Sequence, residues 1–200
     1  MKAFDRNTAL LVVDMQAGFD DAAWGARNNP ALEANVAALL AAWRESRAPV
    51  IHVHHDSPEA SGRLRGGTPG NAPKREAEPL AGEPVYRKRV NSAFVGTTLE
   101  RDLRARGITS LVIVGLTTNH CISTTARFAG NLGLRTFVVS DGTATFDRIG
   151  LDGRLRLAND VHNAALNDLQ DEFAQIIDTE TLLATCRSAT SPIARGAIHV

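Results

Sequence analysis

Cys121 has the clearest chemical setting in the chain. It follows the run Leu111-Val112-Ile113-Val114-Gly115-Leu116-Thr117-Thr118-Asn119-His120. That run is an apolar strand pattern giving way to a helix. A thiol there lies in the first turn of the helix, where unpaired N–H groups and the helix dipole favour an anion. Such a thiol can have a lowered pKa and act as a nucleophile, with fast alkylation near neutral pH as the sign of it. The same N–H groups can stabilise a tetrahedral oxyanion. The more common fate of a lone cysteine is that of a small buried hydrophobe. Cys186 has no such setting and reads as that kind.

Asp14 closes the run Ala9-Leu10-Leu11-Val12-Val13. A carboxylate is not core filler, because burying it unpaired is costly. It reads either as a crevice residue or as a turn and capping residue. Lys88 lies in Val85-Tyr86-Arg87-Lys88-Arg89. On an alternating strand it points away from Arg87 and Arg89, so it can face inward while they face water. His52 and His54 share one strand face, with His55 and Asp56 at its end. The cluster reads either as metal ligands or as buried, hydrogen-bonded neutral imidazoles. His120 flanks Cys121, but neighbours on a helix point about 100° apart, which argues against direct pairing. His162 reads as a packing or capping residue of its helix.

These residues need elements to hold them. Five runs rich in Val, Ile and Leu, 9–14, 50–54, 111–115, 136–140 and 174–178, read as buried strands, and 85–89 as a short edge strand. Helical spacing marks 31–47, 98–106, 119–132 and 155–173, and a last short helix begins at Thr179. In the fourth of these, Val161, Ala165, Leu166 and Leu169 share a face. Alternating strands and helices imply crossover units. The expected fold is α/β, a three-layer αβα architecture with a mostly parallel, Rossmann-like sheet of about six strands. Ligands then bind beyond the carboxyl ends of the strands, where Asp14 and Cys121 both fall. The segment 56–84, rich in Gly, Pro and charge, reads as a long ordered loop over that region or a flap.

The chain has 200 residues, 44% hydrophobic and 22% charged, and reads as one domain, 1–200. It carries 22 basic and 22 acidic residues. That balance argues against a general nucleic-acid or membrane-surface binder. No apolar run approaches the roughly 20 residues of a membrane span, and the first six residues lack a secretory pattern. Two cysteines are too few for a disulfide scaffold. The expectation is a reduced, soluble, cytoplasmic protein. No GxGxxG follows the first strand, and neither a Walker A sequence nor a GxSxG elbow is present.

Taken in order, Leu10-Leu11-Val12-Val13-Asp14-Met15-Gln16, then Lys88-Arg89-Val90-Asn91-Ser92-Ala93-Phe94, then Gly115-Leu116-Thr117-Thr118-Asn119-His120-Cys121 form a specific set. With Asp141-Gly142-Thr143-Ala144 closing the next strand, the chain resembles the isochorismatase-like cysteine hydrolase superfamily, from about Ala9 to Leu183. The resemblance implies a catalytic triad of Asp14, Lys88 and Cys121. Cys121 would attack a carbonyl, Asp14 would move the proton, and Lys88 would pair with both. It also implies an oxyanion hole from the N–H groups of Thr117 and Cys121, with a cis peptide at Leu116–Thr117. Phe19, Trp24, His55 and Phe94 are candidates for the substrate pocket from their places near the triad. The resemblance further implies a homo-oligomer, dimer or tetramer, and the C-terminal tail 188–200 ends in apolar residues, Ser191 to Val200, that read as a segment able to dock on a partner subunit.

Two departures narrow the reading. The nicotinamidase branch carries a metal set built on Asp-x-His, whereas here the second strand ends His52-Val53-His54-His55-Asp56 and the loop that follows holds no histidine. No metal and no cofactor are therefore expected, and the partner is a small-molecule substrate. The isochorismatase branch cleaves a vinyl ether by protonation, without needing the thiol. The leading expectation is C–N hydrolysis of a small amide, carbamoyl or ureido compound through a thioester. The alternatives are vinyl-ether hydrolysis and a non-catalytic binding protein on the same fold.

Overall fold

The computed structural model describes residues 7–190. The chain runs β1 (Thr8–Val13), α1 (Leu32–Glu45), β2 (Val50–His55), β3 (Val85–Lys88), α2 (Leu99–Ala105) and β4 (Ser110–Leu116). It continues through α3 (Ser123–Asn131), β5 (Arg135–Ala144), β6 (Arg148–Ile149), β7 (Leu155–Arg156), α4 (Ala158–Asn167), β8 (Gln175–Ile177) and α5 (Thr179–Thr190). Six strands form one sheet in the order β3-β2-β1-β4-β5-β8, and every pairing in it is parallel.

The strands are apolar on both faces because helices cover both. In β1, Leu10 and Val12 pack with Leu32, Val36, Leu39 and Trp43 of α1 and Leu182 of α5. Ala9, Leu11 and Val13 pack the other way, with Leu99 and Leu103 of α2, Ala126 of α3 and Leu166 of α4. This is the expected three-layer α/β arrangement. On α1 the buried residues fall at helical spacing, and truncating one such leucine to alanine costs about 2–5 kcal/mol. The strand order reverses between β1 and β4, so the crevice at their carboxyl ends is where this architecture accepts a ligand.

One expectation changes, and two further segments take a definite form. The helix read over 155–173 is shorter, Ala158–Asn167. Leu155–Arg156 instead pairs antiparallel with Arg148–Ile149. The turn between them places Gly153 at φ 76°, and the Asp152 carboxylate accepts from the Arg154 N–H at 3.1 Å. An Asp-Gly turn of this kind favours a hairpin. The segment 56–84 is an ordered loop with short 3-10 turns at Pro69–Asn71 and Arg75–Ala77. Asn71 anchors it, donating to the carbonyls of His55 at 2.9 Å and Leu64 at 2.8 Å. The last helix, α5, reaches Thr190, so it takes up the first residues of the expected tail. Residues 191–200, and the first six residues of the chain, lie outside the described residues. Among those described, no helix is long and apolar enough to cross a membrane.

Candidate active site

Three strand ends supply the site. The chain leaves β1 through Asp14, which adopts φ 52°, a left-handed conformation that Asp tolerates better than most residues. Its backbone N–H donates to the Val53 carbonyl at 2.8 Å, and its side chain is fully buried. Gln16 then clamps the end of β2. Its Oε1 accepts from the His55 N–H at 2.8 Å, and its Nε2 donates to the His55 carbonyl at 3.0 Å. Lys88 ends β3 in direct register with His55, so both side chains project on one face of the sheet.

The third strand end carries Cys121. Between Ile113 and Gly115 the β4–β5 register shifts, and Gly115 adopts φ 120°. A Cβ at Gly115 would lie 1.9 Å from the Val13 carbonyl oxygen, so only glycine lets β4 approach β1 here. The Leu116–Thr117 peptide is cis, as the resemblance implies. Thr118–Ile122 is a π-helical turn rather than the start of an α-helix, and the Ile122 N–H donates to the Thr117 carbonyl at 3.2 Å. The turn is fastened by Thr118 Oγ1 against His162 Nδ1 at 2.8 Å, while the Ser140 backbone also bonds that ring. His162 thus holds the cysteine turn in place, a role beyond simple packing.

Lys88 Nζ joins the three ends. It donates to Asp14 Oδ2 at 2.6 Å and to Cys121 Sγ at 3.2 Å, and it lies 3.2 Å from His55 Nδ1. An ammonium has three hydrogens and no acceptor. His55 Nδ1 must therefore accept, which sets this ring as the Nε2–H tautomer. Asp14, His55 and Cys121 place potential ligand atoms within 4.8 Å of one another, a spacing that fits a metal ion. Lys88 bonds all three from within that set, so the cation there is its own ammonium. Asp14 Oδ1 is buried with no hydrogen-bond partner. Asn91, three residues beyond Lys88, faces Cys121 Sγ at 3.8 Å.

Burial raises the pKa of Asp14, with Lys88 opposing. Burial, reinforced by the Asp14 charge, pushes the Cys121 thiol up to about 12, again against Lys88. The shift is opposite in direction to the lowering expected from the helix N-terminus. Burial of the thiol and the carboxylate alongside outweigh the dipole, and one ammonium cannot hold two anions in a dry site. His55 is lowered by burial and by Lys88 and stays neutral.

The set opens on a cavity of about 350 Å³. Phe19, Trp24 and His55 line it, as does Thr117. Phe94 is not among the lining residues. It is buried in the core and stacks on Phe128 at 5.1 Å between centroids, because the turn after Ser92 directs it into the helical layer. Lining residues not assigned from sequence are Asn91, His120, which was weighed only as a partner of Cys121, and the wall made by Ser57, Glu59, Arg63 and Leu64 of the loop expected over this region. The only signal for that wall was the length of the 56–84 loop. Trp24 is held from both sides, its indole N–H donating to the Gly18 carbonyl at 2.8 Å and Arg63 lying 5.6 Å over the ring. His52 and His54 are buried in the sheet and do not line the cavity. His52 meets Glu83 at 2.9 Å, and burial lowers His54 to about 4.

Comparisons with known proteins identify the family. The family model described as Isochorismatase domain matches residues 8–181. The isochorismatase family protein YrdC of Bacillus subtilis is 41% identical, over 90% of this chain and 96% of its own. Nicotinamidase 3 of Arabidopsis thaliana is 31% identical, over 87% of this chain and 86% of its own. An isochorismatase-family crystal structure from Chromobacterium violaceum superposes with a TM-score of 0.90 at 41% identity, covering 94% of this chain and 97% of the other. The chain therefore belongs to the isochorismatase family of hydrolases.

Proposed function

We propose that this protein is a cysteine hydrolase cleaving the C–N bond of a small amide, carbamoyl or ureido compound, in one domain built from the whole chain. The observation that carries this reading is the Lys88 ammonium bonded to both Asp14 and Cys121 beneath the cavity. A nucleophile beside a base and a fixed cation is the arrangement that acyl transfer needs. Nicotinamidase 3, an amide-cleaving relative by its name, supports it.

Cys121 Sγ attacks the carbonyl carbon as Asp14 takes the thiol proton. The negative charge moves to the carbonyl oxygen, which the N–H groups of Thr117 and Cys121 receive. Asp14 passes the proton to the nitrogen, the C–N bond breaks, and ammonia or an amine leaves. Water attacks the thioester, giving one proton to Asp14, and the C–S bond breaks. That proton returns to the sulfur as the acid departs. The sum is amide plus water giving acid plus amine. Because the resting thiol holds its proton, Asp14 acts as the base during attack rather than beforehand.

The raised pKa of Asp14 also suits a proton donor, which favours vinyl-ether hydrolysis as the second reading. Acid-quenched single turnovers followed by intact-mass measurement separate the two. Thiol-dependent C–N hydrolysis adds the acyl group to wild type and not to Cys121→Ala. A Cys121→Ala protein that turns over as fast as wild type overturns the thioester route.

A further inference from the structure

Beside the main cavity lies a second cleft of about 240 Å³. The two share Trp24, Thr117 and His120, so they adjoin along the cysteine turn. The far wall of the second cleft includes Arg148, at the start of β6. Its guanidinium donates from Nη1 to His120 Nε2 at 2.8 Å and forms no ion pair among the described residues. Its neighbour Asp147 also lines the cleft; its Oδ1 accepts from the Ala158 N–H at 2.7 Å, and it makes no ion pair with Arg148.

The direction of these bonds is fixed by Arg148, which has donors only. His120 Nε2 therefore accepts, and its proton sits on Nδ1, facing Thr117 Oγ1 at 3.3 Å. The Thr117 hydroxyl, receiving that proton, keeps its own hydrogen to give away. What the cleft offers is a guanidinium with spare N–H groups and a hydroxyl polarised through a neutral imidazole. Guanidinium N–H groups that no carboxylate engages fit an anion, and a guanidinium fits a carboxylate best.

We infer that Arg148, with His120 and Thr117, forms an anion subsite that selects substrates carrying a carboxylate on the far side of the scissile C–N group. The favoured class is the monoamides and ureido derivatives of small carboxylic acids. The inference rests on the proposed C–N hydrolysis and narrows it.

The test uses the full chain and ammonia release. Malonamate, succinamate and glutaramate are compared with uncharged alkyl amides of equal length, for wild type, Arg148→Gln and Arg154→Gln. Arg154 is an arginine of the same hairpin outside both cavities. Wild type is expected to favour the charged amides at least tenfold in kcat/KM. Arg148→Gln is expected to lower that ratio about tenfold or more, chiefly through KM, and Arg154→Gln to keep it. An unchanged ratio in Arg148→Gln, or a wild-type preference for the uncharged amides, overturns the subsite. If no amide releases ammonia, the C–N reading fails separately, and calorimetry with succinate and glutarate still decides the subsite. Binding that weakens about tenfold in Arg148→Gln sustains it. Equal binding by both proteins, or none by wild type, overturns it.

Discussion

Lys88 has three hydrogens and three acceptors around it, and that count governs the chemistry of its neighbours. Burial, with the Asp14 charge adding to it, holds the Cys121 thiol protonated. Asp14→Asn should therefore lower hydrolysis by about 10²–10⁴-fold, the usual worth of a general base, while making Cys121 react faster with iodoacetamide at neutral pH. Paired rate measurements check this, and an Asn variant alkylated more slowly than wild type contradicts it. His55 offers a second case. Its Nδ1 accepts from Lys88, and its Nε2–H is left without a protein partner among the described residues. Asn can replace the acceptor near Nδ1, and Gln the donor near Nε2. If the ring serves the triad, His55→Asn should keep kcat within about tenfold while His55→Gln does not. The reverse order would place its role on the substrate side. Asp14 and Cys121 stood out because each breaks a local pattern, a carboxylate ending an apolar run and a thiol at a strand-to-helix turn, whereas strand alternation only allowed Lys88 to face inward and its role came from the resemblance. Phe94 was misread because nearness in sequence to Lys88 does not set side-chain direction. The bond from Arg148 to His120 was invisible, since it joins residues 28 apart across a hairpin that the sequence pattern did not reveal.

At the level of elements, the strands were readable as apolar runs and most helices as 3.6-residue periods. The hairpin of β6 and β7 was not. Leu155 and Leu157 extended the helical count of α4 backwards, yet both are exposed. The π-helical turn was equally silent, because periodicity does not separate it from an α-helical turn over five residues. Its position depends on Gly115, whose φ of 120° and contact with Val13 leave no space for a side chain. Gly115→Ala should cost about 3 kcal/mol or more, through a left-handed backbone and a direct clash. Because the clash falls just before the turn Thr118–Ile122 that carries Cys121, hydrolysis should fall further than stability alone explains. Denaturant unfolding and kcat, measured on the folded fraction, check both halves. A variant of wild-type stability would show that β1 and β4 do not meet as closely as described.

For the molecule as a whole, the parallel sheet brings the ends of β1, β3 and β4 to one edge, although Asp14, Lys88 and Cys121 are far apart in sequence. The same sheet buries neutral histidines. His54 is lowered from 6.5 to about 4 by burial, and His52 is lowered for the same reason. A group with a depressed folded pKa contributes stability above its unfolded pKa and loses it as pH falls through the folded one. The melting temperature should therefore begin to fall below pH 6.5. Glu33 and Glu83, each held near 2 against an ordinary 4.5 by their Arg27 and Arg44 partners, extend the loss from pH 4.5 downward. His54 Nδ1 has no partner, so His54→Leu should be tolerated and should make the fall between pH 6.5 and 4 shallower, leaving the share that His52 contributes. A melting temperature that is level over that range in wild type contradicts this.

The central claim is thiol-dependent C–N hydrolysis, and ammonia release from a panel of primary amides, carbamoyl acids and ureido acids tests it most directly. The measurement runs wild type beside Cys121→Ala, with both proteins confirmed folded by thermal melting. Ammonia from the wild type and none from the variant is the predicted result. Equal ammonia from both, or none from either across the panel, would contradict it and turn attention to proton donation by Asp14.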